Sequence, residues 1–162
     1  MKAVGLDLAG KQENDTGFCL IDNSNVKTLT LGSDIEILEL IKGADPDVIA
    51  VDAPLSFPKE GMYRECDDKL RKRGYDILSP NYPGMRVLVN RARSLVSKLE
   101  RTDGFEIIET SSDVSEDILP VKRTGDMTDD EFEAFVCALT AVKYLQDDYE
   151  NLGGMIVPVD SP

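Results

Sequence analysis

The chain has 162 residues, of which 41% are hydrophobic and 30% charged, as expected for one globular domain with its own core. It contains no histidine, which excludes Ser-His-Asp and Cys-His nucleophilic sites and histidine-based zinc sites. The net charge of −13 argues against a general nucleic-acid-binding surface, because such surfaces are normally basic.

The first half of the chain predicts a three-stranded meander, a helix and a central strand. Apolar runs indicate strands at residues 2–9, 17–21 and 26–31. The short connections between them favour antiparallel pairing. Ser33 and Glu36 form a predicted capping box for a helix that ends at Gly43. Residues 47–52 are apolar at consecutive positions, so we expect a buried strand that lies parallel to its neighbour.

The second half alternates helices and strands. Helices are predicted at residues 63–73 and 85–101, a strand at 105–109, and a further short strand at 155–157. Thr128 and Glu131 form a second predicted capping box, which begins the last long helix. Residues 111–126 are polar, with one short possible helix. This order of elements is that of the ribonuclease H-like fold, an α/β architecture with a mixed five-stranded sheet, and we expect it to fill residues 1–162 as a single domain.

The cysteines and the apolar segments bear on the cellular environment. Cys19, Cys66 and Cys137 are odd in number and lack CxxC spacing, which predicts unpaired thiols in a reducing compartment. The apolar runs are too short for a membrane span, and the N-terminus carries no signal-peptide pattern. We therefore expect a cytoplasmic protein without a membrane partner.

Acidic residues follow three of the predicted strands. Asp7 and Asp52 end the first and fourth strands, and Glu109 ends the fifth. A carboxylate at the end of a buried strand is costly unless it is paired or holds a cation. Each residue also has an ordinary interpretation, because acids are common in the turns that end strands. We favour a functional role for Asp7 and Asp52. For Glu109, a functional role and an ordinary strand-end acid are equally favoured.

Two further acids lie near the start of the last helix. Asp130 and Glu133 are three residues apart and therefore share one side of the helix, and Asp129 is an alternative to Asp130. Acids in a first turn are also favoured by the helix dipole alone. If the helix crosses the sheet, an acid here can join the strand-end carboxylates. Oxygen ligands favour Mg²⁺ or Mn²⁺, and a pair of such ions suits phosphodiester hydrolysis without histidine.

Positive charge is concentrated in one segment. Residues 64–101 hold ten basic and five acidic side chains, whereas the remainder of the chain carries a net charge of −18. This block is either a phosphate-facing surface or the solvated face of two helices, and the counts alone favour the solvated face.

Several motifs together resemble the DUF429 family, whose uncharacterised members are described as predicted nucleases of the ribonuclease H fold. The chain has GLDLAG at residues 5–10 and IAVDAPL at residues 49–55. Further matches follow in order at residues 64–68, 70–74, 79–80, 84–85, 91–92, 108–111 and 133–141. The resemblance spans nearly the whole chain.

The resemblance implies a divalent-metal site. In it Asp7 and Asp52 are metal ligands, Glu109 lies nearby, and an acid of the last helix completes the set. RuvC-type relatives carry two aspartates three residues apart in that helix, a spacing that Asp130 and Glu133 match. Glu133 stands where the family generally has aspartate. We name Glu133 as the third metal ligand, with Asp130 as the alternative acid of the last helix.

The resemblance also implies phosphate contacts by basic residues of the charged block, namely Arg64, Arg71 and Arg91. The sequence thus predicts a nuclease or phosphodiesterase that uses Mg²⁺ or Mn²⁺ and acts on DNA or RNA. Two alternatives stay open. One is a nucleotide-binding phosphotransferase of the actin and sugar-kinase type, although the chain lacks a second glycine-rich phosphate loop. The other is a non-catalytic interaction module that retains the fold.

Overall fold

The computed structural model describes residues 1–161. The strands are β1 (Lys2–Asp7), β2 (Thr16–Asp22), β3 (Asn25–Leu31), β4 (Val48–Asp52), β5 (Ile107–Thr110), β6 (Tyr149–Asn151) and β7 (Ile156–Pro158). The helices are α1 (Asp34–Ala44), α2 (Glu65–Lys72), α3 (Pro83–Asp103), α4 (Ser112–Ile118) and α5 (Asp129–Leu145).

Five strands form the main sheet in the order β3-β2-β1-β4-β5. Strands β1, β2 and β3 pair antiparallel, whereas β4 lies parallel to both β1 and β5. The predicted mixed sheet, with its meander and its parallel strands, is therefore confirmed. Strands β6 and β7 form a separate antiparallel pair, which joins β5 through a bridge between Met155 and Glu109.

The alternation of side chains divides β1 between the two faces of the sheet. Val4 and Leu6 pack in a core cluster with residues of α1 and α3, such as Ile37 and Leu95. Ala3 lies in a different cluster, with residues of α5. Since side chains two apart share a face, Asp7 projects toward α5.

Two glycines allow α5 to lie very close to the sheet. A Cβ atom at Gly5 would overlap the backbone of Ala134, and one at Gly17 would overlap the carbonyl oxygen of Asp130. Gly17 pairs with Asp7 across β1 and β2. The missing side chains therefore bring the first turns of α5 against the end of β1.

The predicted N-caps are present, but the capping boxes are incomplete, because Glu36 accepts from the Gly32 N–H and Glu131 from the Thr28 hydroxyl instead of from the N-cap backbone. The boundaries differ from the sequence prediction by a few residues. Ser33 and Thr128 each accept a hydrogen bond from the backbone N–H three residues later. Helix α3 begins at Pro83, earlier than expected, because proline suits the first helical position. Strand β6 was not predicted, since its three residues are largely exposed and carry no apolar alternation.

Within residues 1–161, no helix combines the length and the apolar character that crossing a bilayer requires.

Candidate metal centre

The register of the parallel strands brings Asp7 and Asp52 side by side. Leu6 of β1 is aligned with Val51 of β4, and the next position on each strand is an aspartate. On β4, Val48 and Ala50 pack in the cluster that includes residues of α5, so Asp52 shares the face of Asp7. Both carboxylates therefore leave the sheet in the same direction at the same end.

Glu133 reaches this pair from the second turn of α5. One carboxylate oxygen from each of Asp7, Asp52 and Glu133 lies within 4.8 Å of the other two. All three side chains are partly buried. Glu133 occupies the α5 surface that the two glycines hold against the sheet, which explains how residues distant in sequence meet.

Negative charges crowd this site and shift its protonation. The pKa of Asp7 is raised to about 9, mainly by burial and then by the hydrogen bond and charge of Glu133, with smaller contributions from Asp52 and Asp130. The pKa of Asp52 is raised to about 6, again mainly by burial. Without a cation, the cluster therefore retains a proton near neutral pH.

Ser112 orients Asp52 and was not singled out in the sequence. Its hydroxyl donates to Asp52 Oδ2 at 2.5 Å, and its backbone N–H also donates to this carboxylate. These bonds lower the pKa of Asp52 against the effect of burial. Ser112 begins α4 directly after β5, so a serine pair following a strand was the available signal.

Asp130 lies beside the cluster, and Asp129 does not. Asp130 forms a hydrogen bond with Asp7. Asp129 is exposed and forms an ion pair with Arg123 at 2.5 Å. Of the two alternatives for the first turn of α5, the structure therefore brings Asp130 to the site.

Glu109 lies outside the cluster, because strand alternation turns it to the opposite face. It is aligned with Val51, whereas Thr110 is aligned with Asp52. Its carboxylate accepts bonds from Arg64 at 2.7 and 2.9 Å and from the Leu55 backbone N–H at 2.9 Å. Burial raises the pKa of Glu109, against the hydrogen bonds and charge of Arg64, which lower it.

All three arginines predicted to contact phosphate have partners within the described chain, and the side chains of Arg64 and Arg91 are also largely buried. Arg64 donates to Asp67, Glu109 and Ser56, and its side chain is 8% exposed. Burial lowers its pKa, but the bonds to Asp67 and Glu109 outweigh burial and raise it, so Arg64 stays charged.

Arg91 is also buried and donates to Asp34 and to the carbonyl oxygens of Ala9 and Gly32. Arg71 is exposed, pairs with Asp68 at 3.4 Å and lies over the ring of Tyr63. In the structure the donors of Arg64 and Arg91 are directed at protein partners, so their predicted phosphate contacts stay predictions that the functional proposal does not use.

The donor set of the cluster fits a divalent cation. Asp7, Asp52 and Glu133 offer only oxygen ligands, which Mg²⁺ and Mn²⁺ prefer. A bound cation would also neutralise the carboxylates whose mutual repulsion raises the pKa of Asp7. The three residues can therefore hold a metal ion.

The five-stranded mixed sheet and its flanking helices define a protein of the ribonuclease H-like fold, with an acidic triad at the ends of β1 and β4. The structure of Thermus thermophilus RuvC in complex with a Holliday junction substrate is similar, with a TM-score of 0.60 and 12% identity over 98% of this chain and 99% of that chain. A second Thermus thermophilus RuvC structure matches with a TM-score of 0.51 and 14% identity, over 98% of this chain and 100% of that one.

The chain belongs to the family described as protein of unknown function DUF429, whose sequence profile matches residues 5–123. A search among curated protein sequences gave no significant match.

Proposed function

We propose that this protein is a divalent-metal-dependent nuclease that hydrolyses phosphodiester bonds. The observation that carries the proposal is the triad of Asp7, Asp52 and Glu133, whose ligand oxygens lie within 4.8 Å of one another. The RuvC-like fold and the absence of histidine from the sequence support the same chemistry.

In this proposal, Asp7, Asp52 and Glu133 hold Mg²⁺ or Mn²⁺. Such an ion supplies positive charge for the transition state and activates water for attack on phosphorus. Ser112 fixes the orientation of Asp52 through its hydroxyl and its N–H. Asp130 forms a hydrogen bond with Asp7 and helps to position that ligand.

The test is cleavage of labelled substrates by the purified chain in Mg²⁺ or Mn²⁺. The substrates are single-stranded and duplex DNA, four-way DNA junctions and structured RNA. We expect Asp7→Asn and Glu133→Gln to reduce cleavage more than about 100-fold, because each removes a ligand. The matched controls are the exposed residues Asp160→Asn and Glu39→Gln, which should cleave at the wild-type rate.

Two outcomes would overturn the proposal: no cleavage of any substrate in either metal, or unchanged cleavage by Asp7→Asn. Titration calorimetry with Mn²⁺ separates the alternatives. A chain that binds no metal and cleaves nothing fits the non-catalytic interaction module better.

A further inference from the structure

Helix α3 presents a basic stripe in an otherwise acidic protein. It contains no Asp or Glu between Pro83 and Leu99, although the chain has a net charge of −13. Arg86, Asn90 and Arg93 are exposed, and their spacing of four and seven residues places them on one side of the helix. This stripe, which we call the α3 donor stripe, offers only hydrogen-bond donors and the Asn90 amide.

The stripe differs from three cations of the basic block that have acidic partners. Lys69, Arg71 and Arg73 have acidic partners at 3.0, 3.4 and 2.7 Å. Neither Arg86 nor Arg93 forms an ion pair within the part of the chain that the structure describes. An ordinary solvated helix face interleaves acids with its bases, and this one does not.

An aromatic ring holds both arginines in place. The Arg86 guanidinium lies 4.9 Å from the centroid of the Phe57 ring, and that of Arg93 lies 5.7 Å from it. A ring contact of this kind stabilises an exposed cation, because the face of the ring carries partial negative charge. It also restricts the side chain without using its N–H donors. Arg86 donates from Nη1 to Asn81 Oδ1 at 3.1 Å, and its other N–H groups are available to an external anion.

The stripe adjoins the carboxylate end of the sheet. Met85 and Asp52 line the same cavity of about 190 Å³, and Phe57 follows Asp52 by five residues. Arg91 donates to the carbonyl oxygen of Ala9 at 2.6 Å, which fastens α3 to the loop after Asp7. These contacts place the N-terminal half of α3 beside the strand ends that carry Asp7 and Asp52.

We propose that Arg86 and Arg93 bind the sugar–phosphate backbone of a nucleic-acid strand and lead it to the triad, with Asn90 contributing a hydrogen bond between them. The two arginines are about 10 Å apart along the helix axis, which suits contacts to separate phosphates of one strand. This inference rests on the proposed function, for which it names the substrate-binding surface.

Binding measured without cleavage tests the inference. Fluorescence anisotropy with labelled single-stranded DNA, duplex DNA, four-way junctions and RNA is recorded in EDTA and in Ca²⁺ across a series of salt concentrations. We expect the double variant Arg86→Gln/Arg93→Gln to bind at least about tenfold more weakly, with the slope of log K against log[salt] reduced by about 1 for each arginine.

Arg101→Gln is the matched control, because Arg101 is an exposed arginine of the same helix about 12 Å beyond Arg93. It should bind like the wild type, and far-UV circular dichroism should show all variants folded. Arg86→Lys/Arg93→Lys should recover most of the salt slope.

The inference is overturned if the wild type binds none of these nucleic acids, if the double glutamine variant binds as tightly, or if Arg101→Gln weakens binding equally. Failure of the proposed function looks different: a wild type that binds through Arg86 and Arg93 but never cleaves would leave this inference standing.

Discussion

Asp7 is the residue on which the site depends most. It is surrounded by Glu133, Asp52 and Asp130, and its carboxyl group is protonated near neutral pH because burial and these charges oppose ionisation. In the proposed function a divalent cation would take over the neutralisation that the proton provides. Metal binding would then release a proton from this residue.

The raised pKa of Asp7 makes the stability of the metal-free protein depend on pH. The pKa of Asp7 is about 9 in the folded state and near the ordinary value of 3.8 when unfolded, so the unfolded chain loses this proton first. The free energy of unfolding should therefore fall as pH rises from about 4 to about 9.

Urea denaturation in EDTA at about pH 5 and about pH 8 measures this trend. Asp7→Asn should remove most of it, whereas Asp160→Asn should leave it unchanged. If the free energy of unfolding changed equally with pH in Asp7→Asn and in the wild type, Asp7 would not be the source of the pH dependence.

The ion pair of Arg64 with Glu109 should be important for stability. Both side chains are less than one-tenth exposed, at 8% and 6%. Arg64→Met leaves Glu109 and Asp67 without their partner, so we expect it to lower the free energy of unfolding by about 3–5 kcal/mol.

The comparison for this prediction is Arg73→Met, which breaks the half-exposed pair with Glu150 and should cost less than about 1 kcal/mol. Chemical denaturation of both variants measures the two losses in the free energy of unfolding. Similar losses for the two would mean that Arg64 does not organise this region.

At the scale of elements, the site depends on how closely α5 approaches β1 and β2. Gly5 and Gly17 leave no Cβ atoms in the way, and the amphipathic pattern of α5 could be predicted without revealing this distance. The sequence supplied the strand-end aspartates and the capped helix. The family resemblance indicated Glu133 as a ligand, but the sequence did not supply the helix–sheet spacing that brings Glu133 to the two aspartates.

Gly17→Ala should therefore damage the site through the helix. The added methyl group overlaps the Asp130 carbonyl oxygen, so the first turn of α5 must move. We expect a loss of about 1–3 kcal/mol in the free energy of unfolding. Calorimetry should also show weaker Mn²⁺ binding.

Gly43→Ala is the control, because nothing lies within 4 Å of its added methyl group. Within helix α1 it should stabilise the chain by up to about 1 kcal/mol. If Gly17→Ala bound Mn²⁺ with wild-type affinity, the metal site would not depend on the close approach of α5 to the sheet.

Strand β5 illustrates what sequence patterns leave undecided. Glu109 and Thr110 both end a predicted strand, and only the pairing register reveals which of them faces Asp52. The buried arginines are a similar case. The sequence shows that Arg64 and Arg91 carry positive charge, but it does not show that they bind Glu109 and the Gly32 carbonyl oxygen from distant segments. The basic block can be found by counting charges along the sequence, but only the folded structure shows which of its side chains have acidic partners.

At the scale of the whole molecule, the net charge of −13 acts against compaction. Raising monovalent salt from about 0.01 M to about 0.15 M shortens the screening length from about 30 Å to about 8 Å. We therefore expect the melting temperature in EDTA to rise with salt in the wild type and in Asp7→Asn alike.

Mn²⁺ should give an additional rise in the wild type only, since Asp7→Asn lacks a ligand. Differential scanning fluorimetry measures both effects on the melting temperature, that of general charge screening by salt and that of Mn²⁺ bound at the triad. An equal Mn²⁺ response in both proteins would indicate diffuse counterion binding instead of a defined site.

The alternation along β5 determines what a single substitution does to the candidate site. Thr110 is aligned with Asp52 and shares its face, whereas Glu109 lies on the opposite face and binds Arg64. An acid moved by one residue would therefore leave the pair with Arg64 and join the face of the sheet that carries the triad. This site could thus acquire a fourth carboxylate by one substitution at position 110, without any change in strand order or register.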